Sequence, residues 1–164
     1  MIDHNVYLAL GSNVGNRAAN LREALAALSP QMEVKAKSKV YETPPWGYVD
    51  QEKFLNQVVK VITYVEPELL LKHLKRLEVA LGRKETFQNG PRVIDIDILF
   101  YDDQIIESPE ITIPHPRMHD RGFVLQPLMD IAPDFVHPVK RQTIHELLAQ
   151  ADLTGIVEYH KQSK

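Results

Sequence analysis

An α+β fold is predicted for this 164-residue chain from three observations. Short runs rich in Val, Ile and aromatic residues, such as Val6 to Leu10 and Phe54 to Val65, read as strands. Between them lie two stretches with Leu at helical spacing. Hydrophobic residues make up 44% and charged residues 25%, a balance that supports one packed core at this length.

Val6 to Leu10 ends at Gly11-Ser12-Asn13, as a buried strand entering a loop does. Leu21, Leu25 and Leu28 then recur at helical spacing in an Ala-rich stretch that Pro30 follows. From Met32 to Glu42 the pattern alternates. Val34, Ala36 and Val40 face one way and Glu33, Lys35, Lys37 and Lys39 the other, which predicts a half-buried strand. Thr43-Pro44-Pro45-Trp46-Gly47 interrupts regular structure, because proline restricts both itself and the residue before it.

Phe54 to Val65 is the next strand. Glu66-Pro67 opens a helix whose apolar stripe is Leu70, Leu74, Leu77 and Leu81 and whose stop is Gly82. Val93 to Tyr101 is a fourth strand. The order β-α-β-β-α-β is the split arrangement of ferredoxin-like folds, an antiparallel sheet packed by helices. Pro109, Pro114, Pro116, Pro127, Pro133 and Pro138 then predict an irregular, Pro-rich C-terminal extension with at most short helices. A last helix is expected from Thr143 to Gln150, and the whole chain, 1–164, reads as one domain.

Lys and Arg number 19 against 22 Asp and Glu, a net charge of -3. That argues against a protein that coats nucleic acid or an anionic membrane, but not against a small anion held by local charges. The absence of cysteine excludes disulfides, thiolate zinc sites and Cys nucleophiles. Met1-Ile2-Asp3-His4 has no basic flank or signal-like apolar run, and no stretch nears the ~18 apolar residues of a membrane span. A soluble, cytoplasmic monomer is expected.

The most informative segment is Gly90-Pro91-Arg92-Val93-Ile94-Asp95-Ile96-Asp97-Ile98. In a strand, Ile94, Ile96, Ile98 and Phe100 line one face while Asp95 and Asp97 line the other. Residues two apart are separated by roughly 6–7 Å, close enough for both carboxylates to reach one site. Two acids held that close repel unless a cation or donors lie between them, and oxygen-only ligands favour Mg²⁺. The plain alternative is the solvated face of an amphipathic strand, but Asp is poor in strand interiors and occurs here twice.

Arg83 follows the second helix and Arg92 precedes the acidic strand, which suits a polyphosphate shared between metal and guanidinium groups. No Gly-x4-Gly-Lys-Ser/Thr loop is present, so side chains and metal would have to build the phosphate site. His115 and His119 are four apart, but Pro116 opposes a regular helix through both; a phosphate contact by His115 and Arg121 is the better reading. Trp46, Phe54 and Phe123 are candidates to stack a flat ring, and Asn56 shares Phe54's strand face with an amide able to read a heterocycle edge. The residues thus reach a metal-dependent enzyme acting on a nucleotide and a second, flat substrate.

Gly11-Ser12-Asn13, Tyr41-Glu42-Thr43-Pro44-Pro45, Phe54-Leu55-Asn56, Glu78 to Arg83, Gly90-Pro91-Arg92 through Asp97, and Pro114-His115 through Phe123 occur in an order that resembles the 6-hydroxymethyl-7,8-dihydropterin pyrophosphokinase family. The resemblance covers essentially the whole chain, and Gly-Pro-Arg-x-x-Asp-x-Asp is its most specific block. It implies transfer of diphosphate from ATP to the pterin hydroxymethyl group, with release of AMP, in folate biosynthesis. On that resemblance Asp95 and Asp97 hold two Mg²⁺ ions, and Arg83 and Arg92 stabilise the transferring group. His115 and Arg121 contact the triphosphate, while Glu78, Ile98 and Thr112 surround the nucleotide. Thr43, Pro44, Pro45 and Trp46 border the pterin, Asn56 hydrogen-bonds it, and Phe54 and Phe123 sandwich it. Asp97 is also implied as an aid to hydroxyl deprotonation. The family usually carries Arg-Trp before Gly-Pro-Arg, where this chain has Gln88-Asn89 in a loop one residue shorter. Lys84 is the nearest counterpart of the family's second loop arginine, and Lys75 stands where a Gln can occur.

Two other classes compete. A nucleotidyl enzyme with paired acids on a similar sheet would leave the Thr43-Pro44-Pro45-Trp46 and Pro114-His115 blocks without a purpose. An RNA-binding module would need the aromatic Arg/Lys-Gly-Phe-Gly-Phe pattern, which is missing.

Overall fold

The computed structural model describes residues 2–47, 49–84 and 86–160. Its strands are β1 (His4–Ser12), β2 (Met32–Lys37), β3 (Tyr41–Thr43), β4 (Phe54–Thr63), β5 (Asp95–Tyr101), β6 (Ile106–Glu107), β7 (Thr112–Ile113) and β8 (Val157–Glu158). Its α-helices are α1 (Arg17–Leu28), α2 (Pro67–Ala80), α3 (Gly122–Ile131) and α4 (Ile144–Ala149). This is an α+β fold, as the sequence predicts. The main sheet runs β5-β1-β4-β3-β8, with β2 also on β4, and every pairing is antiparallel. β6 and β7 form a separate two-stranded ribbon.

The alternating pattern from Met32 to Glu42 produces two strands rather than one. The Ser38 N–H donates to the Val58 carbonyl at 2.9 Å, but the Val58 N–H returns to the Ser38 hydroxyl at 2.9 Å, and that hydroxyl donates to the Lys39 carbonyl at 2.7 Å. A side chain thus takes a ladder position, and the chain bends into β2 and β3 along different parts of β4.

Two apolar clusters cover the two faces of the sheet. On one face Leu8, Leu10, Val61 and Ile96 pack against Leu21 and Leu28 of α1 and Leu70 and Leu74 of α2. The Asn16 side chain caps α1 by accepting the Ala19 N–H, and Pro67 starts α2, where a missing N–H costs nothing. On the other face Tyr7, Val58 and Phe100 pack against Val124, Leu125 and Leu128 of α3 and Ile144 and Leu147 of α4.

Two features depart from the sequence pattern. The Pro-rich region contains a ten-residue helix, α3, with Pro127 inside it. Burial of Val124, Leu125 and Leu128 outweighs the hydrogen bond that Pro127 cannot donate. The second departure is in β5, where the register with β1 shifts between Tyr7 and Leu8, so Tyr7 faces Phe100 while Leu8 faces Ile98. Leu99 is the extra residue of this bulge, and it turns Phe100 to the face of Tyr7, away from Ile94, Ile96 and Ile98. Among the described residues no helix is long and apolar enough to cross a membrane.

Candidate active site

On the face that carries α3 and α4, one row of residues crosses three strands in register. Asp95 of β5 pairs with Gly11 of β1, and Gly11 pairs with Asn56 of β4. Asp97 pairs with Ala9 in the next row, and Thr43 of β3 pairs with Phe54. The row needs glycine at its centre, because a Cβ on residue 11 would lie 2.8 Å from Asn56 Oδ1. Beyond the start of α3 these rows form the floor of a cleft that opens to solvent.

One end of the cleft is aromatic. Trp46, Phe54 and Phe123 line it together with Thr43 and Pro44, and the Trp46 and Phe123 ring centres are 6.0 Å apart. Asn56 Nδ2 donates to Thr43 Oγ1 at 2.6 Å, which orients its carbonyl oxygen towards the floor at Gly11. Arg92 lies over the Phe54 ring and Arg121 over both Trp46 and Phe123, at 5.5 to 5.6 Å from the ring centres.

The other end is ionic. Arg83 Nη1 donates to Glu78 Oε1 at 2.8 Å and to Asp95 Oδ1 at 2.9 Å. Arg92 Nη1 donates to the second Asp95 oxygen at 3.1 Å. Burial raises the Asp95 carboxyl, but Arg92, Lys75 and Arg83 outweigh it and hold the group below its ordinary range. Asp97 goes the other way. Burial and the charge of Asp95 push it up to about 7, so without a cation the pair tends to retain a proton. Burial also holds His115 down to about 4, with Arg121 adding to the effect.

The donor set fits a hard divalent cation. Two carboxylates two residues apart on one strand face, one of them tending to stay protonated when no cation is present, are what Mg²⁺ takes when substrate phosphates and water complete its shell. Among the described residues no third His, Asp or Glu joins them in a metal-binding group.

Of the residues singled out in the sequence, Thr43, Pro44, Trp46, Phe54, Asn56, Arg92, Asp95, Asp97, Arg121 and Phe123 line this cleft. Pro45, Glu78, Arg83, Ile98, Thr112 and His115 do not. Arg83 and Glu78 form the layer beneath Asp95: Glu78, only 2% exposed, also accepts the Ile96 N–H at 2.6 Å. Ile98 packs in the core beside α1 and α2, and Thr112 is exposed in β7. His115 is tied by its own N–H to the carbonyl of Leu99, the bulge residue, at 3.0 Å. The reading missed Asn13 and Gln51. Asn13 exchanges N–H bonds with Arg92, donating to its carbonyl and accepting on Oδ1, and its amide donates to Gln51. Asn13 in the Gly11-Ser12-Asn13 turn after an apolar run was the available signal.

The family model for 7,8-dihydro-6-hydroxymethylpterin-pyrophosphokinase (HPPK) matches residues 7–133. The chain belongs to this family. It is 43% identical over 141 residues to the 2-amino-4-hydroxy-6-hydroxymethyldihydropteridine pyrophosphokinase of Aquifex aeolicus, spanning 86% of this chain and 88% of that protein. The Methylorubrum extorquens protein of the same name is 44% identical over 152 residues, 92% of this chain and 95% of its own. The Dictyostelium discoideum folic acid synthesis protein FOL1 is 46% identical over 142 residues, 87% of this chain but only 22% of that longer protein. The Plasmodium falciparum HPPK-DHPS triple mutant crystallised with pteroate superposes with a TM-score of 0.75 at 20% identity, over 91% of this chain and 41% of that one.

The loop before Gly90 is held by a polar tether. Asn89 adopts a left-handed backbone (φ 60), which Asn tolerates far better than Trp. Gln51 Nε2 donates to its carbonyl at 2.7 Å, and Asn89 lines the cleft. Phe87 is 56% exposed and lies outside the lining. Lys84 lies outside the lining as well, and Glu85 is outside the described residues.

Proposed function

We propose that this protein transfers diphosphate from ATP to the hydroxymethyl group of 6-hydroxymethyl-7,8-dihydropterin and releases AMP, a step of folate biosynthesis. One observation carries the reading: the acid pair and the ring-reading amide occupy one cleft, in register across three hydrogen-bonded strands. Family membership supports it.

Asp95 and Asp97 would hold the metal, a pair of Mg²⁺ ions. Bound there, Mg²⁺ supplies neutralising charge for the phosphates. Phe54 and Phe123 would stack the pterin, Trp46, Thr43, Pro44 and Pro45 would border it, and Asn56 would bond its polar edge. Arg92 and Arg121 line the cleft and would turn from the rings to the phosphates. Arg83 would act from below, on charge developing at the transferred group, while Glu78 fixes its guanidinium. His115, kept neutral, would offer a ring N–H to the triphosphate, and Ile98 and Thr112 would stand near the nucleotide. Asp97, beside the metal, would also help to take the hydroxyl proton.

The strand order supports a ferredoxin-like core followed by a Pro-rich extension, and residues 1–164 would work as one domain. We read it as a cytoplasmic monomer whose partners are the two small substrates, with neither nucleic acid nor membrane. The test is product identity: with ATP, Mg²⁺ and the reduced pterin, AMP should form only when the pterin is present. ADP as the product, or AMP formed without the pterin, would sink the reading.

A further inference from the structure

Residues 152–159 lie beyond the segment that matches the family model, yet they touch both walls of the aromatic end of the cleft. The first wall is the start of α3, where Gly122 sits between Arg121 and Phe123. A Cβ on residue 122 would lie 2.4 Å from the carbonyl oxygen of Asp152, so the helix start rests directly on that backbone. The second wall is the end of β3. Gly155 has a left-handed backbone (φ 79), and a Cβ there would lie 2.7 Å from Pro44 Cγ.

The segment between these contacts is well tied. Thr154 N–H donates to Asp152 Oδ1 at 2.9 Å, and Ile156 N–H donates to the Leu153 carbonyl at 3.1 Å. Beyond it, β8 pairs with Tyr41 and Glu42 of β3, and Tyr159 N–H donates to the Val40 carbonyl at 2.8 Å. One short stretch of backbone therefore touches Pro44 on one side and the residue between Arg121 and Phe123 on the other. Neither contact involves the acid pair, Arg83 or Arg92.

We propose that Asp152–Tyr159 is a positioning strap that sets how far the Pro44–Trp46 border stands from Phe123 at the ring slot. It rests on the reading that this slot takes the flat pterin. Gly155 acts through Pro44, so a side chain at 155 displaces that wall and weakens ring binding while leaving the nucleotide end as it was.

Trp46 is the only tryptophan of the chain and stands in the slot, so its fluorescence reports the wall directly, with or without turnover. Gly155→Ala should shift Trp46 emission and raise the pterin KM about fivefold, with kcat and the ATP KM within about twofold of wild type. Pro44→Ala removes the atoms a new Cβ would meet. In that background the same substitution should add no further rise in pterin KM, a non-additivity that loss of stability alone does not produce. Gly155→Asn, which tolerates the left-handed backbone, serves as the second variant if Gly155→Ala does not fold. Unchanged emission and pterin KM in a folded variant would overturn the proposal, as would an equal rise in the Pro44→Ala background. A wild-type protein that forms no AMP would instead sink the pterin reading, and the emission shift would still test the strap.

Discussion

Glu78 accepts the backbone N–H of Ile96, the residue between the two acids, at 2.6 Å. A buried carboxylate on α2 therefore fixes the acidic strand from below, and its other oxygen fixes Arg83. Burial raises the Glu78 carboxyl, while Lys75, the Ile96 N–H and Arg83 oppose that rise. Glu78 is thus a support for the acidic strand and for Arg83.

Glu78→Ala leaves the Ile96 N–H and Arg83 without their buried partner, and should cost about 2–3 kcal/mol of stability as well as activity. Glu78→Gln keeps an acceptor for Ile96 but loses the ion pair. It should lower kcat by about tenfold with a stability change under about 1 kcal/mol. Urea melts and steady-state kinetics on both variants separate the two effects; equal stability losses would show that the Ile96 bond is unimportant.

Asp97 is held next to an ionised Asp95. Asp97→Asn removes that repulsion, so in metal-free buffer at pH 8, where Asp97 is mostly ionised, its Tm should exceed wild type by about 2–4 °C. With ATP and Mg²⁺ present the order should reverse, because only the wild type gains binding energy through its acid pair. Turnover should fall by at least about a thousandfold. A thermal melt in which the order never reverses would remove the metal assignment.

Gly11→Ala places a methyl group against Asn56 Oδ1. The pterin KM should rise by about tenfold or more, with the ATP KM nearly unchanged. A rise in both would mean that the floor under Gly11 serves the nucleotide too.

Burial holds His115 and His137 at about 4, below the ordinary value of 6.5. The unfolded chain therefore binds more protons between pH 6.5 and pH 4, and stability falls as pH drops through that window. Each imidazole contributes a slope of up to about 1.4 kcal/mol per pH unit, which fades to nearly nothing by about pH 8. His137 Nδ1 accepts the N–H groups of Val139 and Lys140, and an Asn oxygen can take that place. His137→Asn should flatten the slope relative to wild type, as read from urea midpoints at pH 8, 6 and 4.5. Parallel curves for the two proteins would show that His137 does not titrate with unfolding.

What the sequence could reveal depended on how local the cause was. Ile94 and Ile96 against Asp95 and Asp97 were legible because strand alternation is a property of neighbouring residues. The Leu99 bulge was not, since nothing in Ile98-Leu99-Phe100 marks it and its cause lies in pairing with β1. Pro127 hid α3 because the burial that overrides it comes from β4 and α4. Asn56 was readable as an amide beside Phe54, but the need for glycine opposite it appears only once β1 and β4 are in register. Arg83 was readable as a charge near the acids, whereas its place beneath Asp95 follows from how α2 packs on β5.

The row from Asp95 through Gly11 to Asn56 works as a ruler. Neighbouring strands are held about 4.8 Å apart by backbone hydrogen bonds, so two spacings set a backbone span of roughly 10 Å between the acid and the amide. Side-chain substitutions around the cleft can change what its walls present. The interval itself is written in main-chain bonds, and sequence drift that preserves the sheet leaves the spacing of acid and amide untouched.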